Sequence, residues 1–202
     1  MKIRYLLFVA MILASFVFIG CETTPVTTPS NQQQYTDAGW LAWANGQYIA
    51  AHEMFGNAYK VDDTYADAYN GDAWTYFRQE NLTAAFTKFM RAQYIDNTLF
   101  DSYVGNSCVL LYMGYFNDSA LYGTYVADNV GDTYTFVRDA SVTSFDVYMV
   151  LTLDYFGLGN AASCCGQINN MRRIIGEPTT FSSTDWNEIG NEIDRLSGLD
   201  PS

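Results

Sequence analysis

Four cysteines, one histidine and a surplus of carboxylates are the side chains of this 202-residue protein that could do covalent, metal or acid–base chemistry. Cys21 stands alone near the start, while Cys108 and the adjacent Cys164 and Cys165 lie far downstream. Three downstream thiols are an odd number, so an oxidising compartment would allow one disulfide and one free thiol. A bridge from Cys108 to Cys164 or Cys165 needs α-carbons within about 7 Å. The alternative is that the adjacent pair are two small buried hydrophobes. There is no CxxC, no CxxCH and no Cys/His cluster, and with His52 as the single histidine no metal site is expected. No motif places a Ser or Cys nucleophile with His52, so it reads as a helix-surface residue rather than a catalytic base. Carboxylates such as Asp62, Asp63 and Asp96 sit in turn-like segments, where they cap helices, and no pair is singled out for glycoside hydrolysis. Gly157-Leu158-Gly159 follows no strand and is too short for a phosphate loop. Without a site constellation, neither an enzyme nor a cofactor is expected.

The surroundings of Cys21 are more specific. Lys2 and Arg4 precede an uncharged, mostly apolar run from Tyr5 to Gly20. A basic start and a short apolar run are the layout of a secretory signal peptide. The run is short for a membrane span, which needs about 20 apolar residues. Phe18-Ile19-Gly20-Cys21 resembles the bacterial lipobox, with Phe18 where Leu is usual. That resemblance implies a diacylglycerol on the Cys21 thiol, removal of residues 1–20, and a membrane anchor through the N-terminal lipid. The other reading is an uncleaved anchor with an incidental cysteine. Residues 21–34 read as a flexible spacer: the segment TTPVTTPSNQQQ is uncharged and buries too little apolar surface to offset its ordering entropy. The expected location is the bacterial cell envelope. Glu22 does not match an inner-membrane retention signal, which points to the periplasmic face of the outer membrane rather than to the inner membrane or cell surface.

Composition narrows the partners. The chain carries a formal charge of −12, and loss of Lys2 and Arg4 with the leader leaves about −14. So acidic a protein lacks the cations that a phosphate backbone or an anionic lipid surface demands, and no nucleic-acid partner is expected. Sixteen Tyr, 13 Phe and four Trp supply ample material for a core, with some left for surfaces.

The elements that hold these residues follow from an internal repeat. Residues 35–68 and 69–102, offset by 34, share nine identities: Tyr35/Tyr69, Trp40/Trp74, Ala50/Ala84, Ala51/Ala85, Phe55/Phe89, Ala58/Ala92, Asp62/Asp96, Thr64/Thr98 and Asp67/Asp101. Average composition would give about two by chance. Within each unit, apolar and small residues fall at helical spacing on both sides of a break at Asn45-Gly46 or its equivalent.

This pattern resembles the tetratricopeptide repeat (TPR) family, although the proline of its closing turn is replaced by Asp63 and Asn97. A third unit at 103–131 keeps Tyr103, Leu110, Gly114, Phe116 and Ala120, but Gly123 stands where an aromatic should be. Residues 128–141 read as an insertion. A fourth pair follows at 142–175, so repeats occupy 35–176. Residues 177–202 form a linker and a last helix, with Ser182 or Ser183 as its cap. Trp186, Ile189, Ile193 and Leu196 make one apolar stripe on that helix, which predicts that it covers the end of the stack. The implied fold is all-α: antiparallel helix-turn-helix repeats stacked as a short right-handed solenoid with a C-terminal capping helix.

The resemblance also implies a function. The first helix of each pair lines a concave face that binds a protein or peptide partner, as in assembly or pilotin-like adaptors of the envelope. The alternative is a periplasmic ligand-delivery component partnering a solute transporter. Carried over by the repeat alignment, the partner-binding residues are Trp40 and Trp43, then Trp74, Phe77 and Arg78, then Leu111 and Tyr112. Relatives that grip a C-terminal carboxylate use Lys and Asn there, so no such clamp is expected. Two arrangements remain compatible with these residues: rings open in a groove, or rings covered by residues 128–141 or by the terminal helix.

Overall fold

Small and aromatic side chains at steps of three and four build the expected helix pairs. The computed structural model describes residues 30–199, so the predicted signal peptide, Cys21 and most of the spacer lie outside the described residues. The pairs are α1 (Asn31–Ala44) with α2 (Tyr48–Val61), α3 (Ala66–Arg78) with α4 (Leu82–Ile95), α5 (Phe100–Tyr112) with α6 (Phe116–Asn129), and α7 (Ser144–Gly157) with α8 (Ala161–Ile174). A last helix, α9 (Trp186–Ser197), follows. Each helix packs on its partner in the pair and on the next pair, and α1, α3, α5 and α7 lie side by side along one face. The result is an all-α, right-handed solenoid of the tetratricopeptide kind.

The repeat period is a packing rule. Phe55 is fully buried and lies between Gly39 of its own pair and Gly71 of the next. A methyl group on Gly39 would stand 2.6 Å from the Phe55 ring, and one on Gly71 would overlap it. Phe89 repeats this arrangement against Gly105. Gly123, the missing aromatic of the third unit, is explained by Leu151: that side chain comes in from α7, is almost fully buried, and would lie 2.9 Å from a methyl on Gly123.

The turns are equally regular. Gly46, Gly114 and Gly159 adopt φ of 70°, 78° and 67° and end the first helices of their pairs. Backbone bonds from Gln47 N to Ala42 O and from Tyr115 N to Leu110 O, both 2.9 Å, close these ends in the left-handed cap geometry. At the same place in the second pair stands Glu80, with φ of 60°. The proline missing from the closing turns is replaced by a side-chain device. Asp62 Oδ1 accepts from the amide and hydroxyl of Thr64 at 2.9 and 2.7 Å, and Asp96 does the same for Thr98. An Asp–x–Thr turn thus holds the joint between pairs.

Three expectations change in detail. Helix α1 begins at Asn31, so residues 31–34 belong to the first repeat and not to the spacer; Thr36 Oγ1 bonds to Gln32 O at 2.9 Å inside it. The cap of α9 is Asp185, which accepts from Asn187 N at 2.8 Å, while Ser183 instead donates to Glu188. The insertion is folded: a 3-10 turn at Gly131–Thr133 leads into a hairpin of β1 (Thr135–Phe136) and β2 (Asp139–Thr143), joined at Val137-Arg138. Helix α9 does cover the last pair, with Ile189, Ile193 and Leu196 buried and Trp186 left half-exposed against Phe156.

Candidate partner-binding surface

The first helices carry two rows of large side chains, one helical turn apart. The row Trp40–Trp74 lies along the face shared by α1 and α3. The row Trp43–Phe77–Leu111 lies one turn further on, towards the helix ends, and is flanked by Arg78 and Tyr112.

The first row is not an open groove. Trp40 is 5% and Trp74 7% exposed, because Phe136 of the hairpin sits against both. Its ring centroid is 5.7 Å from Trp40, edge-on, and 5.3 Å from Trp74, stacked. Trp40 also meets Phe55, and Trp74 meets Phe89, which ties the row to the interior. The arrangement in which the insertion covers the rings is therefore the one present, and the expectation that Trp40 and Trp74 face a partner directly is corrected. The physical reason is that the Phe136 ring removes the apolar indole faces from water and gains ring contacts with both.

Polar bonds hold this cover in place. Arg138 lies 3.1 Å from Asp37 Oδ1 on α1 and also pairs with Asp67 Oδ2 on α3, with its guanidinium over the Trp40 ring. Trp40 Nε1 donates to Asp67 Oδ1 at 3.1 Å. Burial works against the Arg138 charge, but Asp67 and Asp37 more than offset it and raise its pKa. Further along, Tyr134 Oη donates to Asp101 Oδ1 at 3.0 Å on α5. Burial pushes the Asp101 carboxyl up to about 6 against the lowering effect of that bond. The segment from Tyr134 to Arg138 therefore spans the first helices of three successive pairs.

The second row remains accessible. Trp43, Phe77 and Leu111 are half-buried, whereas Arg78 and Tyr112 are exposed, Tyr112 to 75%. Phe77 and Tyr112 meet edge to face at 5.5 Å, and Arg78 lies over Trp43 at 5.6 Å while its Nε donates to Tyr48 Oη at 3.3 Å. Together Tyr48, Phe77, Arg78, Glu80, Leu82 and Tyr112 enclose a cleft of about 580 Å³ that opens to solvent. The structure thus separates the carried-over residues: two are interior, and five stand along or beside the rim.

Sequence reasoning missed a polar cluster between the first and second pairs, where α2 meets α3 and α4. His52 is half-exposed, but its Nδ1 lies 2.6 Å from Asp72 Oδ1, and Asp72 is fully buried. Lys88 Nζ pairs with Asp72 Oδ2 at 2.9 Å and donates to Tyr59 Oη at 3.1 Å. The other His52 nitrogen faces the Tyr76 phenol at 3.4 Å, not an aliphatic hydroxyl or a thiol. This is a buried carboxylate neutralised by its neighbours, as low-dielectric burial requires. The signal available beforehand was a charge set between Gly71 and Ala73 on the packing face.

Among the described residues Cys108, Cys164 and Cys165 are free thiols. Cys164 and Cys165 are buried and contact Thr152 O and Ser183 O, while burial pushes the Cys108 thiol up to about 12. Among the described residues no group of three His, Cys, Asp or Glu could hold a metal ion, and no helix is long and apolar enough to cross a membrane.

No protein-family model matches the chain, and neither does any curated protein. Solved structures do. One described as MamA 41-end from Desulfovibrio magneticus RS-1 superposes with a TM-score of 0.65 at 10% identity, covering 86% of this chain and 97% of that one. Another, described as the MamA RS-1 ArsTM double mutant, gives a TM-score of 0.64 at 10% identity, covering 84% and 96%. At that identity the likeness is one of fold, and it establishes for this chain a tetratricopeptide-like, all-α solenoid.

Proposed function

We propose that this protein is a lipid-anchored scaffold of a bacterial cell envelope that binds a protein or peptide partner through the rim of its first helices. The observation that carries this reading is the open cleft of Tyr48, Phe77, Arg78, Leu82 and Tyr112, whose members come from three successive pairs. Aromatic and Arg side chains held rigid by ring contacts are the residue types that dominate protein interfaces. The net charge of −12 favours a basic or neutral partner. The anchor rests on Cys21 after its apolar run and on the polar segment that follows. Together these features suit an assembly or pilotin-like adaptor on the periplasmic face of the outer membrane. Because the cleft opens to solvent, it suits a peptide better than the small apolar cargo of a transporter-linked delivery protein.

A photo-crosslinking amino acid at Tyr112, in the native envelope, should capture a partner that the same probe at exposed Thr184 does not. Equal capture at the two positions, or none at either, would sink the binding reading. Separately, Cys21→Ser should abolish fatty-acid labelling and leave the precursor uncut; labelling that survives would remove the anchor.

A further inference from the structure

We infer that the β1–β2 hairpin is an internal stand-in for a ligand, and that the face it covers is a binding site for a tight-turn segment carrying an aromatic, one spacer residue and an arginine. This rests on the partner-binding reading and names the partner chemistry for the inner part of the same face.

The hairpin occupies the site in the manner of a bound peptide. Phe136 is almost fully buried between Trp40 and Trp74, Val137 is 83% exposed, and Arg138 returns to the surface to pair with Asp37 and Asp67. The two-residue turn at Val137-Arg138 thus lodges Phe136 and Arg138 on the face and leaves the residue between them in solvent, so the recognised shape is a tight turn. The recognising groups belong to the first helices: two indoles one repeat apart, and carboxylates from α1 and α3. An aromatic ring takes the indole slot and a guanidinium takes the paired carboxylates. An acidic segment would meet like charge there. The hairpin pairs with no other strand among the described residues, and only two residues of β1 face the five of β2. Its lower end is secured separately, by Tyr148 and Arg173 on Asp132, so the tip can leave while its base stays fixed.

Tethering gives the tip an effective concentration in the millimolar range, so a short free peptide competes poorly. A partner succeeds by adding contacts, and the rim cleft at Phe77 and Tyr112 is adjacent to the same helices. If the tip is closed 99 times in 100, apparent affinity falls about 100-fold, and opening it by substitution restores what was lost.

The test uses the full chain in detergent and a labelled synthetic peptide, YTFVRDA, identical to residues 134–140. F136A/R138A should bind it at least about tenfold tighter than the unaltered protein by fluorescence anisotropy. Adding Asp67→Asn should remove the gain, and a peptide with both Phe and Arg changed to Ala should not bind. R138A alone keeps the ring in place and guards against loss of fold; it should show a smaller gain in the same direction. Absence of binding to both variants, each with helical circular dichroism intact, would make the hairpin a structural plug and overturn the inference. A photo-crosslinker at position 136 that joins two chains, rather than α1 or α3 of its own chain, would also overturn it. If peptide binding fails while the Tyr112 probe still captures a partner, only this inference falls.

Discussion

Two rows of aromatic side chains run along the same helices, one turn apart, and only one of them meets solvent. Trp40 and Trp74 are sealed by Phe136, whereas Trp43, Phe77 and Leu111 are half-buried and Phe77 lines an open cleft with Arg78 and Tyr112. Both rows recur at the repeat period, and both are made of residues that suit an interface. What separates them is a segment far away in the chain. Periodicity therefore identifies which side chains share a face, but the cover over that face is a tertiary fact.

Four measurements would break or sharpen this contrast. The largest effect is expected where a whole cover is removed. Truncation after Pro178 strips α9 and exposes the surface under Ile189, Ile193 and Leu196. Each such burial is worth about 1.5–3 kcal/mol, so the melting temperature should fall sharply and chains should associate. An unchanged melting curve would mean that α9 covers nothing that matters.

Next is the direct comparison of the rows. Trp74→Ala should cost about 3–5 kcal/mol in denaturant unfolding, as core truncations do. Tyr112→Ala should change stability by about 0.5 kcal/mol or less while weakening partner capture. Similar losses of stability at both positions would erase the distinction between interior and rim.

A smaller effect concerns Asp154, buried on α7. Burial pushes its carboxyl up to about 7, although Ser119 Oγ, 2.7 Å away, works in the opposite direction. Folded Asp154 thus keeps its proton at pH values where the unfolded chain has lost it. Its stability contribution is full below about pH 4 and is lost as pH rises through about 7. Asp154→Asn should accordingly be more stable than the parent by about 1–3 kcal/mol at pH 8 and near equal at pH 4. Parallel stability–pH curves for the two proteins would refute this account.

The smallest effect is at Glu80, the one non-glycine residue with positive φ among the described residues. Left-handed backbone costs a side-chain-bearing residue about 1 kcal/mol, so Glu80→Gly should stabilise by about that amount. Glu80 also lines the rim cleft. If its carboxylate contributes to the partner site, the same change should weaken capture at Tyr112; destabilisation would show that its side-chain contacts outweigh the strain.

Residues 35–102 announce their fold through spacing alone, because Trp40 and Trp74, Phe55 and Phe89, and the small residues around them recur at 34. The stripe on α9 was legible for the same reason. The start of α1 was not, since Asn31 and the following glutamines have no apolar residue to mark a face, although Gln is a good helix former once a neighbour supplies the turn. The hairpin was legible only as surplus length. Its strands are too short to show alternation, and Phe136 finds Trp40 across 96 positions of chain, a pairing that no local pattern reports. His52 read as a surface residue because its partner Asp72 lies on another helix.

The socket at Gly123 bears on how such a protein could grow. The second unit is a cassette with matching ends: its Gly71 receives Phe55 from the unit before it, and its Phe89 enters Gly105 of the unit after it. An in-frame duplication of residues 69–102 would join to its copy and to its neighbours without a void. A duplication of the third unit would not, because its Gly123 expects Leu151 from α7 and a copy would face empty space. Lengthening by gene duplication is thus open in the N-terminal half of the array and closed beside the hairpin, so relatives with more repeats should carry the extra units there.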